Sequence, residues 1–159
     1  MSQHPSQLID QALAAVESGQ QLLNQSLSFV KNNCLNEAGR ISASKLDNYQ
    51  LVSYDLAFSA AELTGAKCMV DYARKIRATR NNDSGLQIEE RITLQFCAEV
   101  LQNIRSRLAP RKKEFGLSRE DFVGSIDSET VQQFCDEHLS TDKLVELGQL
   151  ALREDGRTG

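Results

Sequence analysis

The chain is organised by apolar residues that recur every three or four positions, which is the period of an amphipathic helix. The first series starts after Pro5 and Ser6, and its spacings alternate between four and three. Its members are Ile9, Leu13, Val16, Gln20, Leu23, Leu27, Val30 and Cys34. The pattern predicts a first helix over about 6–34, in which Gly19 can allow a close approach by a neighbouring helix.

A second series predicts a helix over about 44–79 that is apolar on two faces. One face carries Leu46, Tyr49, Val52, Leu56, Ala60, Leu63, Lys67 and Val70, and the other carries Phe58, Ala61, Gly65, Cys68, Met69, Tyr72 and Ile76. Because one neighbour cannot cover two faces, we expect the first and third long helices on the Leu46–Val70 face. A fourth helix or another protein is expected on the other face.

The small residues around Gly65 are typical of a close helix crossing inside a dense bundle. We therefore expect the Gly65 face to be internal. On that hypothesis, the Gly65→Leu substitution lowers the melting temperature markedly, because added bulk destabilises a packed interior. If the face instead docks another protein, the same substitution leaves the stability of the chain nearly unchanged.

A third long helix follows the strongest turn signal of the chain, at 81–85. It carries apolar residues from Ile88 to Leu108, and Pro110 ends it. A basic loop at 111–113 comes next.

Shorter helices complete the chain. Ser118 begins a capping pattern for one short turn, Ser128 can cap a helix that contains Cys135, and a last helix opens at Ser140 or Thr141. No segment alternates apolar and polar residues as a strand would. The fold class predicted is all-α: an up-down antiparallel helical bundle with short C-terminal helices.

The length of 159 residues fits one domain overall. Within it we expect residues 1–125 to form the long-helix bundle and residues 126–153 to form short helices packed on it. Residues 154–159 are expected to form a polar tail.

Composition narrows the possible environments. No stretch approaches about 18 consecutive apolar residues, which excludes a transmembrane helix of the usual kind. The first residues lack the basic head and apolar run of a signal peptide, so we expect a cytoplasmic protein.

Charge is distributed unevenly along a chain whose net charge is −4. Residues 71–113 carry ten basic and five acidic side chains, whereas residues 114–159 carry four and eleven. Either an acidic C-terminal element folds back over a basic helix end, which we favour, or the two regions are separate partner-facing patches. The small negative net charge of the chain does not indicate a nucleic-acid partner.

Four cysteines stand one in each of four predicted helices, at Cys34, Cys68, Cys97 and Cys135. No Cys-x-x-Cys pair occurs, so the spacing does not indicate a zinc site or a redox motif. We expect all four to be reduced packing residues, with Cys68 and Cys97 largely buried.

Candidate chemistry is sparse. The two histidines, His4 and His138, have no nucleophile or orienting group at a recognisable spacing, although His138 follows two carboxylates and could act as a general base. No Glu-x-x-His motif and no Gly-rich phosphate loop is present. The basic run 111–113 could meet a phosphate or a CoA tail, but such runs are more often solvated loops. The residues therefore predict no catalytic, cofactor-binding or metal-binding site in this chain.

Part of the second predicted helix resembles a known family. Residues 39–50 are GRISASKLDNYQ, and residues 56–63 are LAFSAAEL. This text is similar to the opening of the helical N-terminal extension of some acyl-CoA dehydrogenases, notably those similar to methylsuccinyl-CoA dehydrogenase. Phe58 stands where that pattern has tryptophan.

The third predicted helix resembles the same extension. The segments that carry this resemblance are residues 87–91 and residues 96–101. Residues 115–122 follow and contain a Gly-Leu pair that stands before short acidic helices. The resemblance covers roughly residues 38–150, and it implies an all-helical appendage.

The family oxidises an acyl-CoA thioester to its enoyl form and passes the electrons to an electron-transfer flavoprotein. The resemblance places the FAD and CoA contacts and the catalytic carboxylate in the later, main part of such enzymes. It therefore implies FAD for a parent enzyme, whereas no bound cofactor is expected in this chain alone.

Two functional hypotheses follow. In the first, the chain is a non-catalytic accessory domain for docking and subunit assembly, and its partner is the catalytic domain of an acyl-CoA dehydrogenase in the same chain or in another. In the second, it is a free-standing bundle that dimerises or acts as an adapter. The chain is then either an excised domain or a stand-alone relative.

Overall fold

The computed structural model describes residues 4–79 and 85–153, and helices make up about 83% of these residues. The helices are α1 (Pro5–Cys34), α2 (Ala43–Asp47), α3 (Gln50–Thr79), α4 (Ile88–Leu108), α5 (Arg119–Val123), α6 (Glu129–His138) and α7 (Thr141–Arg153), with a 3-10 helix at Ala109–Phe115. Across these two ranges the chain contains no β-strand, which confirms the all-α fold class. Most of the turn predicted at 81–85, and all of the tail predicted at 154–159, lie outside the described residues.

The predicted helix 44–79 is interrupted, which the periodicity did not indicate. Ser42 caps α2, whose last residue is Asp47, and α3 starts only at Gln50. The Lys45 ammonium donates a hydrogen bond of 2.6 Å to the carbonyl of Leu35, just after α1. This bond holds α2 against the end of α1, so that the chain turns before it enters α3.

Helices α1 and α3 run antiparallel. Near the start of α1, Asp10 forms an ion pair of 2.6 Å with Arg74 near the end of α3. Closer to the middle, Gln20 accepts a hydrogen bond of 3.0 Å from Lys67. The contacts move forward along α1 as they move backward along α3.

Helix α4 runs antiparallel to α3, as the positions of two ion pairs along the two helices show. Arg77 near the end of α3 pairs with Glu90 near the start of α4. Towards the other end of the pair, Arg107 of α4 forms an ion pair of 2.7 Å with Glu62 of α3.

Helix α6 supplies the fourth member of the bundle and packs on α4 and α1. The Cys135 thiol of α6 lies 3.9 Å from the carbonyl oxygen of Ala98 in α4. At the other end of this helix pair, Asp127 just before α6 contacts Arg105 at 2.5 Å. The order α1, α3, α4, α6 is thus the up-down antiparallel arrangement expected from the sequence.

The acidic C-terminal part folds back on the basic middle of the chain. Glu146 of α7 forms an ion pair of 2.7 Å with Arg91 of α4, in addition to the contact between Asp127 and Arg105. Both contacts agree with the fold-back interpretation of the charge distribution.

The close helix crossing of the bundle lies at Gly19 of α1. A Cβ atom placed there would stand 3.0 Å from Cδ2 of Leu101 and 3.2 Å from Cδ2 of Leu63, two leucines that are at most 2% exposed. The missing side chain of Gly19 therefore lets α1 approach α3 and α4 at the same level.

Gly65 is not such a crossing, and the expectation of an internal Gly65 face is wrong. A Cβ atom at Gly65 would meet only the Phe96 ring, at an ordinary distance of 3.6 Å. Phe58 is 48% exposed and Tyr72 is 37% exposed. The helix that contains Cys135 packs on the far side of α1 and α4 from α3, so it leaves this face of α3 open.

The two glycines should respond oppositely to the same substitution. Gly65→Ala should raise the free energy of unfolding by about 0.5–1 kcal/mol, because alanine is the better helix former and its methyl group fits. Gly19→Ala should lower it by about 1 kcal/mol, because the methyl group crowds two buried leucines. Urea denaturation of both variants measures the difference, and equal changes would contradict the assignment of the crossing to Gly19.

Three of the four cysteines are buried, whereas Cys68 is exposed. The expectation that Cys68 is largely buried is wrong, because Cys68 lies on the open face of α3. All four thiols are free, and Cys97 is fully buried as expected. Burial raises the pKa of the Cys97 thiol to about 12, so that this group remains an un-ionised core residue at neutral pH.

Candidate functional site

His138, the sequence candidate for a general base, lies in the interior. Its side chain is only 7% exposed, and its ring packs edge-on against Phe134 with the ring centroids 4.7 Å apart. Burial lowers the pKa of His138, and Glu137 partly offsets this effect. Within residues 4–79 and 85–153 its Nε2 has no hydrogen-bond partner, so the contacts of this ring are packing contacts.

His138 should make stability depend on pH. The unfolded chain takes up a proton at this residue near about pH 6.5, whereas the folded chain takes it up only at lower pH. Stability from the neutral ring is therefore complete above about pH 6.5 and is lost as the pH falls below it. Denaturation of the wild type and of the His138→Phe variant between about pH 8 and pH 5 should give curves whose difference changes across this window, and parallel curves would contradict the assignment.

The basic run 111–113 is partly committed to ion pairs. Arg111 pairs with Asp55 of α3 and with Glu114, and its guanidinium lies 5.5 Å from the centroid of the Phe115 ring. One of the three basic residues of the run is thus neutralised by neighbours.

A groove of about 360 Å³ lies between α1 and α6. Its lining mixes small, polar and apolar side chains, including Ser18, Thr130 and Phe134, and Glu137 is the one charged residue in it. In the two described ranges no group of His, Cys, Asp and Glu side chains is arranged to bind a metal ion. The groove therefore offers no cluster of groups for acid–base or metal chemistry.

The most distinctive surface is the side of α3 that points away from the bundle. We define the outer α3 face as seven positions in successive turns: Leu51, Tyr54, Phe58, Ala61, Gly65, Cys68 and Tyr72. Leu51 is 63% exposed and Tyr54 is 65% exposed. None of the seven residues carries a charge, although charged side chains make up 25% of the chain.

Salt bridges border the outer α3 face on the side of α4. Asp55 pairs with Arg111, and Glu62 pairs with Arg107 at 2.7 Å. The Arg107 guanidinium also lies 4.8 Å above the centroid of the Phe58 ring, a cation–π contact that holds the ring in place. On the side of α4, the acidic groups beside the face are thus already paired, and the Phe58 ring is held against Arg107.

Helix α7 has a second open apolar surface. Leu147, Leu150 and Ala151 are half-buried against the bundle, yet no residue of α7 is fully buried. Its remaining apolar residues point outward, and we call them the outer α7 face: Leu144, Val145 and Leu152, which are 40%, 52% and 80% exposed.

The sequence pattern grouped five of the seven residues of the outer α3 face, from Phe58 to Tyr72, but placed them inside, and it did not single out Leu51 or Tyr54. It missed the arginine pairs that border the face, because nothing in one sequence links Arg107 to Glu62 or Arg111 to Asp55. Those partners are 45 and 56 residues apart. Arg107 lies in the last turn of α4, whereas Arg111 lies in the 3-10 helix with a non-helical backbone, so helical spacing gave no signal that the two would share an edge.

Comparison with known proteins adds no family assignment, since neither protein-family models nor curated proteins match this chain. Over residues 4–79 and 85–153, no helix combines the length and the apolar character that a membrane span requires.

Proposed function

We propose that this chain is a non-catalytic assembly domain, which acts by binding other protein surfaces. The observation that carries the proposal is the outer α3 face, an uncharged row of seven positions with aromatic rings exposed to solvent. Exposed apolar surface of this extent marks an interaction site more often than an isolated exposed residue does.

The partner proposed is the catalytic part of a FAD-dependent acyl-CoA dehydrogenase, in the same chain or in another. The support is the similarity of residues 39–50 and 56–63 to the N-terminal extension of such enzymes. In that family the catalytic part follows the extension, which makes α7 the described helix nearest to it along the chain. The outer α7 face is then the surface that docks the catalytic part, and FAD belongs to that part.

The test mixes the chain with the FAD-loaded catalytic part of a methylsuccinyl-CoA dehydrogenase that lacks its own extension. Sedimentation velocity, followed at the flavin absorbance, should show a faster boundary when the chain is added. The Val145→Glu/Leu152→Glu variant should weaken the complex, because it places charge on the outer α7 face. As a matched control, Glu129→Gln/Glu137→Gln changes the same number of charges on α6 and should leave binding intact. An unchanged flavin boundary would contradict the proposed partner.

A free-standing dimerisation or adapter module is the second candidate function. The outer α3 face favours this candidate, because a second copy of the chain or an adapter's partner could cover the face without any catalytic domain. A chain that self-associates but does not change the flavin boundary would support this candidate over the first.

A further inference from the structure

The outer α3 face has the spacing of a helix-pairing seam. Its seven positions are separated by three, four, three, four, three and four residues, from Leu51 to Tyr72. This alternation keeps the side chains on one line along the helix and is the repeat by which helices pair through knobs-into-holes packing. A surface that was merely exposed would not need to keep such a register over six turns.

The sizes of the seven side chains suit a second copy of the same helix running the opposite way. If the two copies cross between Ala61 and Gly65, each Ala61 lies opposite the other Gly65, and the Phe96 ring beside Gly65 borders the centre of the interface. Moving outward, Phe58 lies opposite Cys68, and Tyr54 lies opposite Tyr72. Small residues therefore occupy the centre, and a large residue meets either a small one or another ring beyond it.

We propose that the outer α3 face is a two-fold, antiparallel interface between two copies of this chain. This inference rests on the proposed function as an assembly domain, and it names a second copy of the chain as the partner of the outer α3 face. A two-fold interface uses the same patch on both subunits, so the patch must be complementary to itself. The outer α3 face meets this condition, because reversing one copy sets small residues opposite each other at the centre and Phe58 opposite the smaller Cys68.

Charges at the two ends of the face support the antiparallel direction. Asp47 ends α2 just before the face, and Lys75 of α3 lies opposite Leu51 of the other copy, so reversal brings each lysine to the end of the face nearer to the other copy's aspartate. Two neighbouring charges are already engaged: Lys45 donates to the Leu35 carbonyl, and Arg74 pairs with Asp10. A parallel pair would instead place Asp47 beside Asp47 and Lys75 beside Lys75.

The size of the face sets the expected strength. From Leu51 to Tyr72 the helix extends about 32 Å, at about 1.5 Å per residue. A single helix pair of this length lies at the low end of specific interfaces, near about 600 Å² per partner. We therefore expect a reversible dimer with a dissociation constant on the order of 10 µM.

The first experiment is analytical ultracentrifugation of the chain over a concentration series. The wild type should shift from 17.7 kDa towards twice that mass with rising concentration. The Ala61→Glu variant should weaken the dimer at least about tenfold, because it places a charge at the uncharged centre of the face. Ala14→Glu changes an equally exposed helical alanine on α1 and should dimerise like the wild type. A wild type that remains monomeric at about 1 mM, or an unaffected Ala61→Glu variant with a native melting curve, would overturn the proposal.

The second experiment tests the antiparallel register by oxidation with copper–phenanthroline. The Phe58→Cys variant should form a disulfide between position 58 of one copy and Cys68 of the other, identified by peptide mass mapping. The Phe58→Cys/Cys68→Ser variant should lose that cross-link. A disulfide between the two Cys68 residues of the wild type would show parallel pairing and overturn the arrangement.

The outcomes separate this inference from the proposed function. A dimer that Ala61→Glu disrupts, without any effect of the chain on the flavin boundary, supports the inference and contradicts the acyl-CoA dehydrogenase partner. A monomeric chain whose complex with the catalytic part is lost in Ala61→Glu supports the assembly function and overturns the inference, since the outer α3 face then docks that partner.

Discussion

Replacing Gly116 with alanine should lower the free energy of unfolding by about 3 kcal/mol, one of the two largest effects expected in this chain. Gly116 ends the 3-10 helix with a φ of 67°, a left-handed conformation that residues with a Cβ atom adopt at a cost. A Cβ atom there would also overlap the ring of Phe29 in α1. Urea denaturation should show a lower midpoint with an unchanged slope.

Gly39 provides the matched control, because its φ is 71° and nothing lies within 4 Å of a Cβ atom built on it. Gly39→Ala should therefore cost only the backbone strain, about 1 kcal/mol. The Gly116→Ala/Phe29→Ala double variant should lose less stability than the sum of the two single variants, since the clash with the ring is absent when the ring is already removed. Equal costs for the two glycine substitutions would contradict the role assigned to Phe29.

Glu90→Ala should destabilise the chain by about 3 kcal/mol, because it breaks a buried ion pair between α3 and α4. Glu90 is fully buried, and its carboxylate accepts two hydrogen bonds from Arg77. It also accepts a hydrogen bond of 2.9 Å from the backbone N–H of Gln87. Removing the carboxylate leaves the Arg77 guanidinium, whose side chain is only 22% exposed, beside a cavity. Chemical denaturation measures the loss.

Two further variants make this second prediction specific. Glu99→Ala removes an exposed glutamate from the same helix and should change stability by no more than about 0.5 kcal/mol. Glu90→Gln keeps the shape and an acceptor for Gln87 but removes the charge, so its cost should fall between those of the two alanine variants. A Glu90→Ala variant as stable as Glu99→Ala would show that the pair does not hold the two helices together.

The proposed assembly role explains why the two sides of α3 carry different kinds of side chain. Its inner side carries the leucines and valines of the core, as in other bundle helices, whereas its outer side carries rings, small residues and no charge. The ion pairs of Asp55 and Glu62 lie along the edge of the outer side and join α3 to α4 and the 3-10 helix. The bundle thus leaves one side of this helix exposed while the opposite side is packed, which is what the proposed role requires.

The sequence by itself determined where most of the helices lie. An apolar repeat of three and four predicts α1 closely, since the observed helix spans Pro5–Cys34. Pro110 lies just beyond the end of α4 at Leu108, and Ser118 forms the expected capping box with Asp121. These features are local: periodicity, proline geometry and caps act within a few residues, so one sequence contains the information they need.

Only the tertiary structure decided which apolar residues are buried. Both faces of α3 have the same helical period, so periodicity could not tell that Leu63 is buried and Phe58 is open. The answer depends on α6, which packs on α1 and α4 instead of on α3 and buries His138 in doing so. The break before Gln50 depends likewise on the bond from Lys45 to the end of α1. Burial is set by contacts between residues far apart in the chain, and those contacts leave no periodic trace in the segment they cover.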